Sequence, residues 1–270
     1  MRSPLPYCVL FALAGSCGGQ AAPQATLPVS NCAPAPLPSA APVQNSTPLR
    51  ADSLESPRSP ASLYFAAPEL GQHLPLDDPR SYRVHVISDA VGPEVIGLEL
   101  ALDAGRPRRV TLSEPTISLG ELLSEDAELA PGAHWLFAAP VLASGLVPRA
   151  AEGGARAAKA RRFFIGQTAD EAAGPSATVW LRRPEGSYNG AKNSDSVLFD
   201  AFVFSALGVQ IDAPCTISLR SPAISGQLSL ASPFVLHEVP SGVYEVSASA
   251  AAAAARVTHF TVNRELGGEP

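Results

Sequence analysis

Charge is scarce in this 270-residue chain. Asp, Glu, Lys and Arg together make up 16% of it, and the formal net charge is −6. No basic tract is available to neutralise phosphates, which argues against nucleic acid as a partner. Cysteine is confined to positions 8, 17, 32 and 215, without the paired spacing of a zinc site. No apolar run free of Pro and charge reaches the length of a membrane-spanning helix. Catalytic signatures are missing as well: the chain has no nucleophile elbow, no His-Glu-x-x-His, no phosphate loop and no Gly-rich dinucleotide fingerprint. Its five histidines, at 73, 85, 134, 237 and 259, are dispersed, and none sits in a local nucleophile-and-base pattern. A non-catalytic protein without cofactor or metal is the expectation.

What is present begins with an export pattern. Arg2 supplies a positive start, Leu5 to Ala14 a short apolar stretch, and Ala14-Gly15-Ser16-Cys17 the small residues of a cleavage region. Two processing readings fit. Leu13 to Cys17 resembles the lipobox of bacterial lipoproteins, in which the cysteine is lipidated and becomes the new N-terminus, although Leu13 lies one place further out than usual. In ordinary secretion, cleavage falls in the same region and Cys17 is incidental. The glycines at 18 and 19 ahead of a long tether favour the lipoprotein, so Cys17 is the expected lipid anchor. Gly18, where an aspartate would favour the inner membrane in the sorting pattern this resembles, points to the outer membrane. Periplasmic or secreted protein is the alternative.

Much of the proline, 27 residues in all, gathers near the N-terminus. Residues 17–60 include PQATLPVSNCAPAPLPSAAPVQNSTP and lack any periodic apolar pattern. Such a segment cannot recover its ordering entropy by burial, so a disordered tether is expected behind the 1–16 signal. Asn45-Ser46-Thr47 matches the glycosylation acceptor pattern by chance. Residues 61–80 read as a partly ordered transition, with Leu63, Tyr64 and Phe65 able to add a strand. An oxidising compartment permits a disulfide between Cys32 and Cys215; the plainer reading makes Cys215 a small buried strand residue and Cys32 incidental.

Beyond the tether, short apolar alternations are separated by Gly/Pro turns. Tyr82, Val84 and Val86 alternate with Arg83 and His85; Ile96, Leu98, Leu100 and Leu102 share a face; Asp103-Ala104-Gly105-Arg106-Pro107 is a turn. Gly120 to Leu123 suggests a short helical turn, and Arg161 to Gly166 a closing strand. The stretch 178–262 carries about seven such strands, the longest being Val197 to Ala206, in the pattern of a β-sandwich. ELAPGAHWLFAA at 128–139 and HEVPSGVYEVSA at 237–248 repeat one turn-and-strand pattern, with Trp135 and Tyr244 in nearly corresponding places. The fold class is therefore all-β: two immunoglobulin-like or fibronectin-like sandwiches, at 81–167 and 177–265, joined by a 168–176 linker and followed by a flexible 266–270 end.

Polar residues in the second domain offer little chemistry. Asn193, Asp195, Asp200 and Asp212 are oxygen ligands in type, but their spacing is not that of a calcium loop, and structural turn roles fit better. Asp200 interrupts an apolar strand; a carboxylate there is costly to bury unpaired, so it is expected to accept hydrogen bonds from a neighbouring turn. Trp180, Tyr188 and Asn189 are the candidate contact surface. Trp180 lies on the alternation set opposite Val179 and Leu181, although packing on the first domain explains it equally well. Ala250 to Ala255 is too short to stand as a helix and is expected to be a weakly packed hairpin edge.

The run from Pro184 to Val262, with GSYNG, VLFDAFVFSA, SPFVLHEVPSG and TVNRE, resembles uncharacterised lipoproteins of myxobacteria. LELALDAGRPRRVTL, EPTISLGELL and EDAELAPGAHWLFA of the first domain resemble the same proteins. The resemblance implies signal, Pro-rich tether and tandem β domains, and supplies no activity or ligand. The function expected is a non-catalytic envelope lipoprotein that binds or scaffolds an envelope protein or a glycan. A structural spacer is the alternative, with an envelope hydrolase third. Oligomeric state is left open.

Overall fold

The computed structural model describes residues 49–89, 91–113, 115–123, 128–150, 156–166, 177–182, 188–189, 196–224, 226–251 and 253–263. The signal, Cys17, Cys32, the Asn45 pattern, the interdomain linker, most of the 184–195 loop and the C-terminal end lie outside the described residues.

The first sandwich starts earlier than its turn pattern suggests. Strand β1 spans Arg50–Ser53, β2 Arg58–Ser59, β3 Ser62–Ala67, β4 His73–Leu74, β5 Arg83–Asp89, β6 Val95–Leu102, β7 Arg108–Val110 and β8 Thr116–Ser118. A one-turn helix, α1, covers Leu119–Leu122. It begins in a capping box in which Ser118 Oγ accepts from the Glu121 amide and the Glu121 carboxylate accepts from the Ser118 amide. Strand β9 runs Gly132–Leu142, β10 Arg149–Ala150 and β11 Lys159–Ile165. One sheet has the order β3-β5-β8, and the other β4-β11-β9-β6-β7. Alternation places Leu63, Phe65, Val84 and Val86 inward, against Leu98, Leu100, Leu102, Leu136, Phe163 and Ile165 of the second sheet. Residues 50–59, expected in a disordered tether, instead include two strands, whereas the 61–80 transition, expected to be partly ordered, adds β3 and β4 to the first sandwich. Leu63 and Phe65 carry enough apolar surface to order that segment.

The second sandwich repeats this plan. Strand β12 is Ala177–Arg182, β13 Tyr188–Asn189, β14 Ser196–Ser205, β15 Gln210–Ile211, β16 Thr216–Arg220, β17 Gln227–Ala231, β18 Phe234–His237, β19 Gly242–Ala250 and β20 Ala253–Asn263. Strands β12, β14 and β18 pair as β3, β5 and β8 do, and β13-β20-β19-β16-β17 matches β4-β11-β9-β6-β7. Even the parallel pairs coincide, β4 with β11 and β13 with β20. The core holds Val179, Leu181, Phe199, Phe234, Leu236, Ile217, Leu219, Tyr244 and Val246. The Ala-rich stretch forms the hairpin's strand ends: β19 and β20 stay paired to Ala250↔Ala253, with one register shift after Ala248.

Two features fuse the sandwiches. Strand β1 precedes the first sandwich in the chain, yet it pairs antiparallel with β18 at the edge of the second. And the outer face of β11-β9-β6 lies on the outer face of β12-β14, burying Trp135, Phe137, Ala101, Ala139 and Ala160 against Trp180, Phe202 and Phe204. Phe137 and Trp180 stack with centroids 5.2 Å apart and planes within 5°. The result is four sheets in layers. Strand β9 is buried on both faces from His134 to Leu142, which is why its sequence from Trp135 on, WLFAAPVL, is continuously apolar rather than alternating.

A fragment beginning at Ser81 lacks β1 and β3, so its thermal unfolding should lose cooperativity. A fragment beginning at Leu49 should keep the full transition. Trp180→Ala in the longer fragment should lower stability by about 3–5 kcal/mol by chemical denaturation.

Candidate functional site

The contact between the sandwiches contains charges as well as aromatics. Glu99 on β6 is buried, with 1% of its side chain exposed. Its Oε2 accepts from Arg182 Nε at 2.6 Å and its Oε1 from Arg109 Nη2 at 3.0 Å. Arg182, from the first strand of the second sandwich, also donates to the Gly145 carbonyl at 2.6 Å. Burial alone would raise the Glu99 carboxyl, but the hydrogen bonds and charges of Arg182 and then Arg109 outweigh it and hold it below the ordinary carboxylate range. Asp200 stands opposite Arg182 in the β12–β14 register. It accepts from Arg156 and from Ser232 Oγ, the latter at 3.1 Å in the turn before β18. Burial still dominates there and pushes its carboxyl up, with Arg156 and Arg182 offsetting only part. The expected turn hydrogen bond is present; the arginine from the other sandwich is the partner that local sequence did not show.

Trp180 is not a contact surface. It is 1% exposed. Its alternation does turn it away from its own core, and that outward face is covered by the first sandwich. Tyr188 and Asn189 form β13, paired with Val262 and Asn263. Cys215 is a buried free thiol just ahead of β16. Burial first, and the nearby Asp200 charge second, push it up to about 11, so it stays protonated. Among the described residues no three His, Cys, Asp or Glu side chains gather as a metal site, and no helix is long and apolar enough to cross a membrane.

The two matching turns correspond one residue away from the Trp135–Tyr244 pairing. Gly132 and Gly242 both take positive φ, +139° and +156°. Two residues on, His134 Nε2 lies 2.8 Å from the Ala130 carbonyl, and Tyr244 Oη donates to the Pro240 carbonyl at 2.8 Å. Each ring thus ties the strand back to the residue four places earlier, as a tyrosine corner does. His134 Nδ1 also lies 2.7 Å from Asp103 Oδ2. Burial would lower the imidazole, but Asp103 and the Ala130 carbonyl outweigh it and raise it above its ordinary 6.5.

A second histidine joins three strands. His237 Nδ1 is 2.8 Å from Ser196 Oγ and its Nε2 is 2.8 Å from Asp52 Oδ2. The residue types are those of a nucleophile relay, but the hydroxyl sits on Nδ1 and the carboxylate on Nε2, the reverse of the serine hydrolase arrangement. Ser196 is exposed and Asp52 half-buried. The network pins β1 to the second sandwich.

Beside the interface lies a pocket of about 300 Å³, walled by Phe202, Ile211, Pro214 and Cys215 and edged by Arg149, Arg156 and Asp212. Arg149 stands in register with Arg58 on one side and bridges to Arg156 on the other, so three guanidinium-bearing residues share one rung.

No family model and no curated protein matches the chain. Among solved structures, the fibronectin(III)-like modules of Clostridium thermocellum CbhA align over 77% of this chain and 97% of theirs, at 14% identity and TM-score 0.24. DIP-gamma IG1+IG2 aligns over 75% and 97%, at 9% identity and TM-score 0.23. The D00-D0 domain of intimin aligns over 74% and 99%, at 13% identity and TM-score 0.22. The sandwich fold itself rests on the strand order and register given above.

Arg182→Ala leaves Glu99 buried beside only the half-exposed Arg109, and should cost about 3–5 kcal/mol in urea unfolding. For His134 the sign follows from its raised value. Its extra stability over His134→Gln is fully present below pH 6.5 and is lost as pH rises through the folded-state value. Paired urea midpoints from pH 5.5 to 8.5 should therefore converge at the alkaline end.

Proposed function

We propose that this chain is a non-catalytic binding or scaffolding module of the bacterial cell envelope, held at the outer membrane by lipid on Cys17 and acting on an envelope protein or a glycan. The observation that supports the binding reading is the fused interface. Loops on a hinged pair of sandwiches sample many relative positions. Here stacked aromatics and the Glu99–Arg182 pair hold the two sandwiches as one body, so loops from both present a fixed surface. The same stacking weighs against the spacer reading. Two sandwiches laid face to face stand roughly 10 Å apart per layer, far less reach than the same sandwiches end to end.

In-cell crosslinking of the full chain, followed by recovery from envelope fractions, should yield a reproducible protein or glycan partner. Recovery of no partner above background returns the spacer reading. Independently, Cys17→Ser should move the protein from the membrane to the soluble fraction; wild-type protein already in the soluble fraction would remove the lipid anchor from the proposal.

A further inference from the structure

The pocket between β10 and β15 carries two opposite charges. Arg149 and Asp212 both line it and both are exposed. Among the described residues, neither has an ion-pair partner within 4.0 Å, and they do not bridge to one another. Arg149 also bears a local cost. Its register neighbours are Arg58 and Arg156, and like charges directly opposite on adjacent strands are destabilising. Only Arg156 is neutralised, by Asp200 beneath it, and its guanidinium lies 5.0 Å over the Phe202 ring. The lining of the pocket thus combines cationic groups, an acceptor carboxylate and apolar residues such as Ile211 and Pro214. A volume of about 300 Å³ is at the small end of ligand pockets.

We propose that this pocket binds a small organic acid that also carries hydrogen-bond donors, its carboxylate on Arg149 and its donor end on Asp212. A guanidinium recognises a carboxylate through two parallel N–H donors, which makes Arg149 the main contact. Arg156 adds positive potential, its hydrogen-bonding capacity being shared with Asp200. The carboxylate of Asp212 accepts from hydroxyl or ammonium groups and repels a second carboxylate. Ile211 and Pro214 of the lining offer contacts to the carbon skeleton. This small-molecule site is separate from the macromolecular partner proposed above and does not depend on it.

Calorimetric titration of the full chain with four probes tests the assignment. D-glucuronate offers carboxylate and hydroxyls, glycine offers carboxylate and ammonium, acetate lacks the donors, and D-glucose lacks the carboxylate. Either glucuronate or glycine should bind at least tenfold more tightly than both acetate and glucose, and which one does so identifies the donor. Arg149→Ala and Asp212→Asn should each weaken that binding at least tenfold, with Arg149→Lys restoring part of it. Both side chains are exposed, so an unchanged melting curve shows that the variants are folded. Equal affinity for acetate and the donor-bearing acids overturns the proposal. So does binding unaltered in Arg149→Ala, or no heat with any probe.

Discussion

Everything in the structure depends on one sheet-to-sheet contact, the outer face of β11-β9-β6 laid on the outer face of β12-β14. A sandwich normally turns that face to water and alternates polar with apolar residues along its strands. Here the face is covered, so Trp135, Phe137, Trp180, Phe202 and Phe204 replace the polar half of the alternation. Flat rings in near-parallel stacks fill a wide gap between two twisted sheets with few atoms left unpacked. That burial turns two small domains, each with a limited core, into one body with three apolar layers.

The charges follow from the same contact. Closing two sheets over Glu99 and Asp200 removes both carboxylates from water, a cost of several kcal/mol per ion unless each is met by a well-placed cation. Arg182 and Arg156 meet them, each from the opposite sandwich. Oily contacts alone would let the two sheets slide by a fraction of a residue. A guanidinium that must reach both Glu99 and the Gly145 carbonyl allows little such freedom. Strand β1 works in the same sense from the edge: its Asp52 meets His237, so the described residues start on the second sandwich before they build the first.

Strand period and turn chemistry made the all-β class legible, because Val84 and Val86, or Leu98 and Leu100, alternate whatever their partners are. The helical turn at Leu119–Leu122 and the closing strand ending at Ile165 were legible for the same local reasons. The interface was not. Trp180 leaving its own core looks the same in sequence whether water or another sheet lies beyond it. Nor do Arg156 and Asp200, 44 positions apart, carry any local sign of pairing. Residues 50–53 are short and polar, and nothing in RADS distinguishes an edge strand from a tether; the distinction is made by the free edge of β18.

The internal repeat shows how the outer faces of the two sandwiches have diverged. Once Gly132 is matched to Gly242 and His134 to Tyr244, Trp135 falls on Glu245 and Phe137 on Ser247. Through the β6–β9 and β16–β19 registers, Ala101 falls on Ser218. The core positions keep their apolar character across the same match, with Leu136 against Val246 and Ala138 against Ala248. So one alternation set is preserved while the other changes from aromatic and small to hydroxyl and acid. A second aromatic face in those positions would offer a further copy the same surface that β12-β14 now covers, with no symmetry to close the series, and would favour open-ended association. Ser218, Glu245 and Ser247 make that face polar instead, which weakens the drive for another sheet to pack there.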